Sequence, residues 1–241
     1  FEVGTLKYRL EHMDVDRWLA DLASDKQQLS MLAESADGVT PERDAKLAEL
    51  KKIIEQKVRH PSTNNNGEEN RKIIVFCAFA DTADYLYEAL ENWVQVTLSV
   101  HIALVSGGAR PNRTTFGKAD FTQILTNFSP RAKQRAKMKS MPQVGEIDIL
   151  VATDCISEGQ NLQDCDLLAN YDIHWNPVRI IQRFGRIDRI GSQNKDIQLI
   201  NFWPTPDLNK YINLKNRVEA RMALVDIAAT AEDNILQAED L

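Results

Sequence analysis

Short apolar runs rich in β-branched residues alternate with amphipathic helical patterns along the middle of the chain, and this alternation constrains the fold most strongly. The first run, at 73–78, is continuously apolar, as expected for a strand that is buried on both faces of a sheet. Five such runs occur, at 73–78, 101–105, 147–152, 167–171 and 197–202. Strands separated by helices are typical of a parallel sheet with helices on both faces. The sequence therefore predicts an α/β fold built on a parallel sheet.

Helical patterns also flank this core. Apolar residues at spacings of three, four and seven predict an amphipathic helix over 14–36, and Thr40 followed by Pro41 predicts the start of a second helix. The polar stretch after His60 contains three consecutive asparagines and is typical of a flexible linker. The predicted organisation is a helical extension at 1–60, a flexible linker at 61–71, an α/β domain at 72–205 and a C-terminal helix at 206–241.

The overall charge gives no sign of nucleic-acid binding. The net charge is −6 and the pI is about 5.3, so phosphate contacts would need a local basic patch. The segment 110–139, which we term the basic segment, holds eight basic residues and one acidic residue, Asp120. Its local net charge is therefore about +7. Its basic residues are Arg110, Arg113, Lys118, Arg131, Lys133, Arg135, Lys137 and Lys139. A helix is predicted to begin at Ser129–Pro130, and its basic face could either contact phosphates or be solvated.

Cysteine and histidine usage argues against a zinc site. The chain has three cysteines without a CxxC pair, and its four histidines are scattered. An odd, sparse set of cysteines fits a reducing compartment, so a cytoplasmic location is expected. No run of about 18 apolar residues occurs, so no membrane-spanning segment is predicted.

Three arginines recur every third residue in the segment 182–192. They are Arg183, Arg186 and Arg189, with Gly185 between the first two. A guanidinium keeps its charge and matches phosphate oxygens bidentately, so clustered arginines beside a glycine suit stabilisation of a transferring phosphoryl group. A solvated basic helix paired with acidic side chains is an equally good interpretation of the spacing alone.

A second polar segment, 152–162, directly follows a predicted strand. Ligands of open α/β sheets gather beyond the carboxyl ends of strands, so this segment could hold a phosphate, a ribose or a nucleic-acid backbone. It could instead be an ordinary turn into a helix capped by Asp154 or Ser157. The chain has no GxxxxGK[ST] loop and no Asp-Glu pair at a strand end, so a phosphate-transfer enzyme would need these parts from elsewhere.

Taken together, these segments resemble the second RecA-like domain of superfamily 2 helicases. Gln182-Arg183-x-Gly185-Arg186-x-x-Arg189 matches motif VI, and the stretch from Thr153 to Leu162 matches motif V. Residues 72–79 resemble motif IV. The sequence patterns SEGxNLQ, YDxxWNP and QRxGRxxRIGS most resemble those of the SWI/SNF-like branch. Within that branch they are most similar to bacterial ATPases of the RNA-polymerase-recycling type.

The resemblance implies roles for single residues. Arg186 and Arg189 would be catalytic, reaching the γ-phosphate of ATP bound on a first RecA-like domain of the same polypeptide. The implied ATP-cleft residues are Gln182, Gly159, Asn161 and Gly185. The implied nucleic-acid contacts are Thr153, Asp154, Ser106 and Gly107, to which the basic segment adds Lys133, Arg135 and Lys137. Magnesium would be held mainly by the first domain, and residues 1–60 would connect the two domains.

On this resemblance the chain is half of an ATP-driven motor and is expected not to hydrolyse ATP alone. Double-stranded DNA is the favoured track because SWI/SNF-like relatives translocate on it. A non-catalytic module that binds nucleic acid or protein through the basic segment is the alternative. An unrelated nucleotide-binding α/β enzyme is disfavoured because GxGxxG and GxxxxGK[ST] are both absent.

Overall fold

The computed structural model describes residues 2–3, 6–7, 13–107, 110–156, 159–174, 176–189 and 191–205, and five single positions between 213 and 219. The predicted C-terminal helix at 206–241 therefore lies almost entirely outside the described residues, as do Ser157 and Glu158. The chain divides into two compact units, Phe1–Ala48 and Glu49–Leu241. None of the described helices is both long and apolar enough to cross a bilayer.

The first unit holds a short antiparallel pair and a long helix. Strands β1 (Glu2–Val3) and β2 (Leu6–Lys7) pair with each other, and α1 (Val15–Asp37) follows. Asp14 begins α1 because its carboxylate accepts a hydrogen bond from the Arg17 amide at 3.0 Å. The predicted helix is thus confirmed, although none of its residues is buried.

The remaining elements follow the predicted alternation. They are α2 (Ala45–Arg59), β3 (Ser62–Thr63), β4 (Glu69–Asn70), β5 (Ile73–Phe76), α3 (Ala80–Trp93), β6 (Ile102–Val105), β7 (Arg113–Thr114), α4 (Phe121–Phe128), β8 (Ile149–Ala152), β9 (Leu167–Asn170), α5 (Pro177–Phe184) and β10 (Gln198–Asn201). One six-stranded sheet has the order β10-β9-β5-β8-β6-β7. All its pairings are parallel except that of β7, which runs antiparallel to β6 at the edge.

The core explains why the apolar runs became strands. Every residue of β5, β6, β8 and β9 is buried. On one face Ile74 and Leu150 pack in a cluster with Ile124 and Phe128 of α4. Because side chains alternate along a strand, Ile73 points to the opposite face of the sheet. It is also fully buried, and α3 lies against β6 and β8. The predicted α/β fold, a mostly parallel sheet flanked by helices, is confirmed.

The first boundary predicted for the domain is wrong. Most of α2 belongs to the second unit, where Leu50 and Ile54 are fully buried. Its Lys57 ammonium pairs with the Asp166 carboxylate at 2.7 Å, and both side chains are less than a tenth exposed. Asp44, rather than Thr40, caps α2 by accepting from the Leu47 amide at 3.0 Å. Apolar periodicity located the helix correctly but could not show which body it packs on.

Two further elements differ from the prediction. Residues 61–71 are not a flexible linker, because β3 and β4 pair there as an antiparallel hairpin. No helix begins at Ser129–Pro130 either. Helix α4 ends before Ser129, and turns with a single 3₁₀ segment, Arg135–Lys137, follow it.

Candidate functional site

The loops that follow β6 and β8 meet at the carboxyl edge of the sheet. The Gly107 amide donates to the Thr153 hydroxyl at 3.2 Å, and the Thr153 amide donates to the Val105 carbonyl at 3.2 Å. The Ser106 hydroxyl is buried and has no hydrogen-bond partner among the described residues. A Cβ on Gly107 would lie 3.1 Å from the Cβ of Cys155, so glycine allows this close approach. Three predicted nucleic-acid contacts, Thr153, Ser106 and Gly107, are thus brought together.

Arg183 connects α5 to the ends of three strands. Its side chain is fully buried, and its Nε donates to the Asp154 carboxylate at 2.7 Å. Its Nη1 donates to the Asn170 side-chain oxygen at 2.7 Å, and the guanidinium lies 4.9 Å from the centre of the Phe76 ring. Asp154 follows β8, whereas Asn170 and Phe76 end β9 and β5. The guanidinium therefore fixes α5 against this edge of the sheet.

This arrangement changes the interpretation of two predicted residues. Asp154, predicted to contact nucleic acid, has its carboxylate engaged by Arg183. The spacing groups Arg183 with Arg186 and Arg189, and the resemblance implies no role for it. A signal for its burial was available, because Ile180 three residues before it and Ile187 four residues after it are on an apolar, helix-like spacing. Both isoleucines are fully buried.

The other two arginines lie beyond the end of α5. Arg186 is half-buried, and its Nε donates to the Gln182 carbonyl at 3.2 Å. Arg189 is exposed. The Leu162 amide donates to the Arg186 carbonyl at 3.0 Å, which ties the segment 152–162 to the arginine segment. These two arginines therefore remain close to the surface while the backbone that carries them is fixed.

An open surface depression is lined by two of the four predicted ATP-cleft residues and by Arg189. Its lining residues are Asn161, Gln163, Gly185, Asp188 and Arg189. The Asn161 side-chain oxygen accepts from the Gln163 amide at 3.3 Å. Gln182 instead accepts from Arg179 at 3.4 Å, and Gly159 is an exposed residue with a φ of +72°. The structure thus brings Asn161, Gly185 and Arg189 together but places Gln182 and Gly159 outside this lining.

Three of the eight basic residues in the predicted basic patch are paired with acidic side chains. Arg110 pairs with Asp81 and Asp84 of α3. The other paired arginines of the segment are Arg113, which contacts Glu88 and Glu91, and Arg131, which contacts Glu68. A local net charge counted along the sequence therefore overstates the positive charge that this surface presents.

Arg135, which the basic segment predicts to contact nucleic acid, is held inside the domain. It is buried, and its Nη1 donates to the Asn127 side chain at 3.2 Å and to the Gly145 carbonyl at 2.8 Å. Lys133 is half-buried and donates to Gln160 at 2.9 Å, and burial lowers the pKa of its ammonium group. Lys137 is exposed. Of these three predicted residues, the two lysines are therefore more exposed than Arg135.

Within the described ranges, no group of three or more His, Cys, Asp or Glu side chains could hold a metal ion.

Comparison with known proteins places these segments in a family. Residues 45–191 match the helicase conserved C-terminal domain. The chain is 49% identical over 57 residues to the uncharacterized ATP-dependent helicase YqhH of Bacillus subtilis, a match covering 24% of this chain and 10% of that protein. It is 26% identical over 161 residues to the probable ATP-dependent RNA helicase ddx51 of Dictyostelium discoideum, which covers 67% of this chain and 24% of that protein.

Other similar proteins include both DNA and RNA helicases. The putative ATP-dependent DNA helicase fml2 of Schizosaccharomyces pombe is 27% identical over 139 residues, covering 57% of this chain and 16% of that protein. Among solved structures, the C-terminal part of the Fun30 ATPase domain aligns with 18% identity and a TM-score of 0.46, covering 70% of this chain and 44% of that one. The chain spans between a tenth and a quarter of the length of these curated relatives.

Proposed function

Because the chain belongs to the helicase conserved C-terminal domain family, we propose that it is the second RecA-like motor domain of an ATP-dependent helicase or translocase. ATP would bind to a first domain of the same polypeptide, and this domain would close over it. Arg186 and Arg189 would then stabilise the charge that develops on the transferring phosphoryl group. One observation carries this proposal. A backbone hydrogen bond joins Leu162 to Arg186, and the exposed Arg189 lines the same depression as Asn161.

The chemistry of the two arginines fits this role. A guanidinium supplied across a domain interface accelerates phosphoryl transfer by about 10³–10⁵-fold in related systems. The hydrogen bond from the Leu162 amide to the Arg186 carbonyl would fix the backbone at Arg186 before the domains close. Bound ATP would bring Mg²⁺, held mainly by the first domain, which neutralises phosphate charge.

The nucleic-acid grip is proposed at the loops after β6 and β8 and at the segment after α4. The phosphate backbone, rather than base edges, would be contacted by Thr153, Ser106 and Gly107 of the loops and by the Lys133 and Lys137 ammonium groups. Such contacts would give little sequence preference. The SWI/SNF-like wording of the arginine segment supports double-stranded DNA as the track, although the relatives named above include RNA helicases.

The test is ATP hydrolysis by the full-length protein with and without double-stranded DNA. We expect Arg186→Ala to lower DNA-stimulated turnover by about 10³-fold or more while DNA affinity is nearly unchanged. Arg59→Ala is the matched control, because Arg59 is an exposed arginine of α2 that pairs only with Glu55 among the residues described. The 241-residue chain alone is expected to be inactive.

Two outcomes would count against the motor. Wild-type turnover by Arg186→Ala would refute the catalytic role of this arginine. If the full-length protein does not hydrolyse ATP but the 241-residue chain still binds nucleic acid, the domain is a binding module instead. Binding that weakens with salt would then identify phosphate contacts as its basis.

A further inference from the structure

The hairpin at residues 62–70 has an internally fixed tip. The Asn64 side-chain oxygen accepts from the Asn66 amide at 2.9 Å and from the Glu68 amide at 3.0 Å. Gly67 has a φ of +79°, which glycine adopts readily. Strands β3 and β4 close the base of the same turn. This hairpin, which we term the polar hairpin, therefore has a defined shape without an apolar core of its own.

The tip of the polar hairpin holds the loop that follows Arg189. The Asn65 amide donates to the Gln193 carbonyl at 2.7 Å. The Asn66 side-chain nitrogen donates to the Gln193 side-chain oxygen at 2.8 Å, and the same oxygen accepts from Arg131 at 3.0 Å. Gln193 is thus bound through both its backbone and its side chain.

The base of the polar hairpin holds the same loop through Asn70. This side chain is only 8% exposed, and its nitrogen donates to the Asn194 side-chain oxygen and to the Asp164 carbonyl, both at 2.9 Å. Its oxygen accepts from the Lys72 amide at 3.0 Å. Both amide hydrogens and the oxygen of Asn70 are therefore used, which fixes the direction of the group.

The loop held in this way is directly connected to Arg189. The Ser192 amide donates to the Arg189 carbonyl at 3.0 Å. The Ser192 hydroxyl and the Asn194 side-chain nitrogen both donate to the Gln163 carbonyl, at 3.3 and 3.0 Å. Gln163 lines the same depression as Arg189. A continuous set of hydrogen bonds thus runs from Asn70 to the backbone of the exposed arginine.

We propose that the polar hairpin positions Arg189, and that Asn70 is a positioning residue for ATP hydrolysis. The inference rests on the proposed role of Arg189 and extends it to a segment outside both arginine and strand-end motifs. Polar hydrogen bonds are directional, so they fix the loop more narrowly than apolar packing of the same small area would. Asn70 does not touch the reacting groups, and its effect passes through Asn194 and Ser192.

The test uses Asn70→Asp in the full-length protein. The substitution keeps the oxygen that accepts from the Lys72 amide but turns the donor nitrogen into a second oxygen facing two acceptors. We expect kcat for ATP to fall by about tenfold or more, because small displacements of catalytic groups are costly. The KM for ATP should change by less than about twofold, since Arg189 acts mainly in the transition state. Hydrogen exchange at the Ser192 amide should become faster.

Control variants separate positioning from general loss of structure. Asn65→Ala keeps the backbone bond to Gln193 and removes a side chain that makes no hydrogen bond to described residues, so its kcat should match the wild type. Gln193 is exposed, so we expect Gln193→Ala to fold. This variant should lower kcat, as Asn70→Asp does. It therefore provides the measurement if Asn70→Asp does not fold.

Arg189→Ala, measured in parallel, distinguishes the catalytic role of Arg189 from its positioning by the polar hairpin. If Arg189→Ala abolishes hydrolysis but Asn70→Asp and Gln193→Ala retain kcat, the polar hairpin does not position the arginine and only this inference fails. If Arg189→Ala hydrolyses ATP normally, the proposed role of the arginine fails and the inference fails with it. A slower kcat with unchanged exchange at Ser192 would also overturn the proposed route of coupling.

Discussion

Removing either partner of the Arg183–Asp154 pair should destabilise the domain, but by unequal amounts. The Arg183 side chain is 0% exposed, whereas the Asp154 side chain is 25% exposed. Asp154→Ala therefore leaves a guanidinium charge in the interior without its carboxylate. Leaving one charge of a buried pair uncompensated costs about 3–5 kcal/mol.

Arg183→Met should cost less, although it removes more hydrogen bonds. Methionine fills similar space without charge, and water can reach the remaining Asp154 carboxylate. The buried Asn170 side-chain oxygen loses a donor, which costs about 1–3 kcal/mol, whereas the half-buried Asp172 carbonyl can be hydrated at a smaller cost. The double variant should then be more stable than Asp154→Ala alone, because the buried charge has gone as well.

Urea unfolding of the 241-residue chain, followed by circular dichroism, measures these differences through the midpoint and the slope. Asp154→Asn is the matched control, since its oxygen can still accept from the Arg183 Nε while the charge is removed, and its loss should be intermediate. Equal losses for Arg183→Met and Asp154→Ala would refute the reasoning. Strictly additive losses in the double variant would also do so, because they would show no coupling between the two groups.

Two further predictions concern glycine and lysine positions. Gly67 and Gly145 share a φ of +79°, so alanine should cost about 1 kcal/mol at Gly67, where space is open, from backbone strain alone. Gly145→Ala should cost about 1–3 kcal/mol more, because the new Cβ would lie 2.8 Å from the Phe116 ring; equal shifts in thermal unfolding would contradict this. In the full-length protein, Lys133→Ala with Lys137→Ala should reduce the slope of log affinity for DNA against log salt by about two. An unchanged slope in a filter-binding titration would mean that both lysines are only solvated.

The strands were predictable because their buried residues are consecutive and apolar. β5 and β8 are continuous apolar runs, and a segment that is buried on both faces needs no periodic pattern. The start of α1 was equally local, since Asp14 accepts from the Arg17 amide at 3.0 Å within the first turn. Where the determinants of an element lie within a few residues, sequence reasoning found it.

The polar hairpin shows the opposite case. Its composition is that of a linker, and its order depends on partners 94 to 127 residues away in the chain. Asn70 and Asn66 form these contacts through side-chain amides, which carry no periodicity that a single sequence could reveal. The burial of Arg135 was unpredictable for a related reason. Its guanidinium donates to the Asn127 side chain and to the Gly145 carbonyl, and neither contact follows a periodic pattern.

The three arginines show how the end of one helix divides similar residues between structure and chemistry. Had α5 continued through Arg189, spacings of three residues would have placed successive arginines about 60° apart around its axis. Arg186 would then lie close to the buried face that Arg183 occupies. Because α5 ends at Phe184, the backbone turns away after Arg183. The buried arginine can thus hold the edge of the sheet while the two that follow stay near the surface, where a phosphate could reach them.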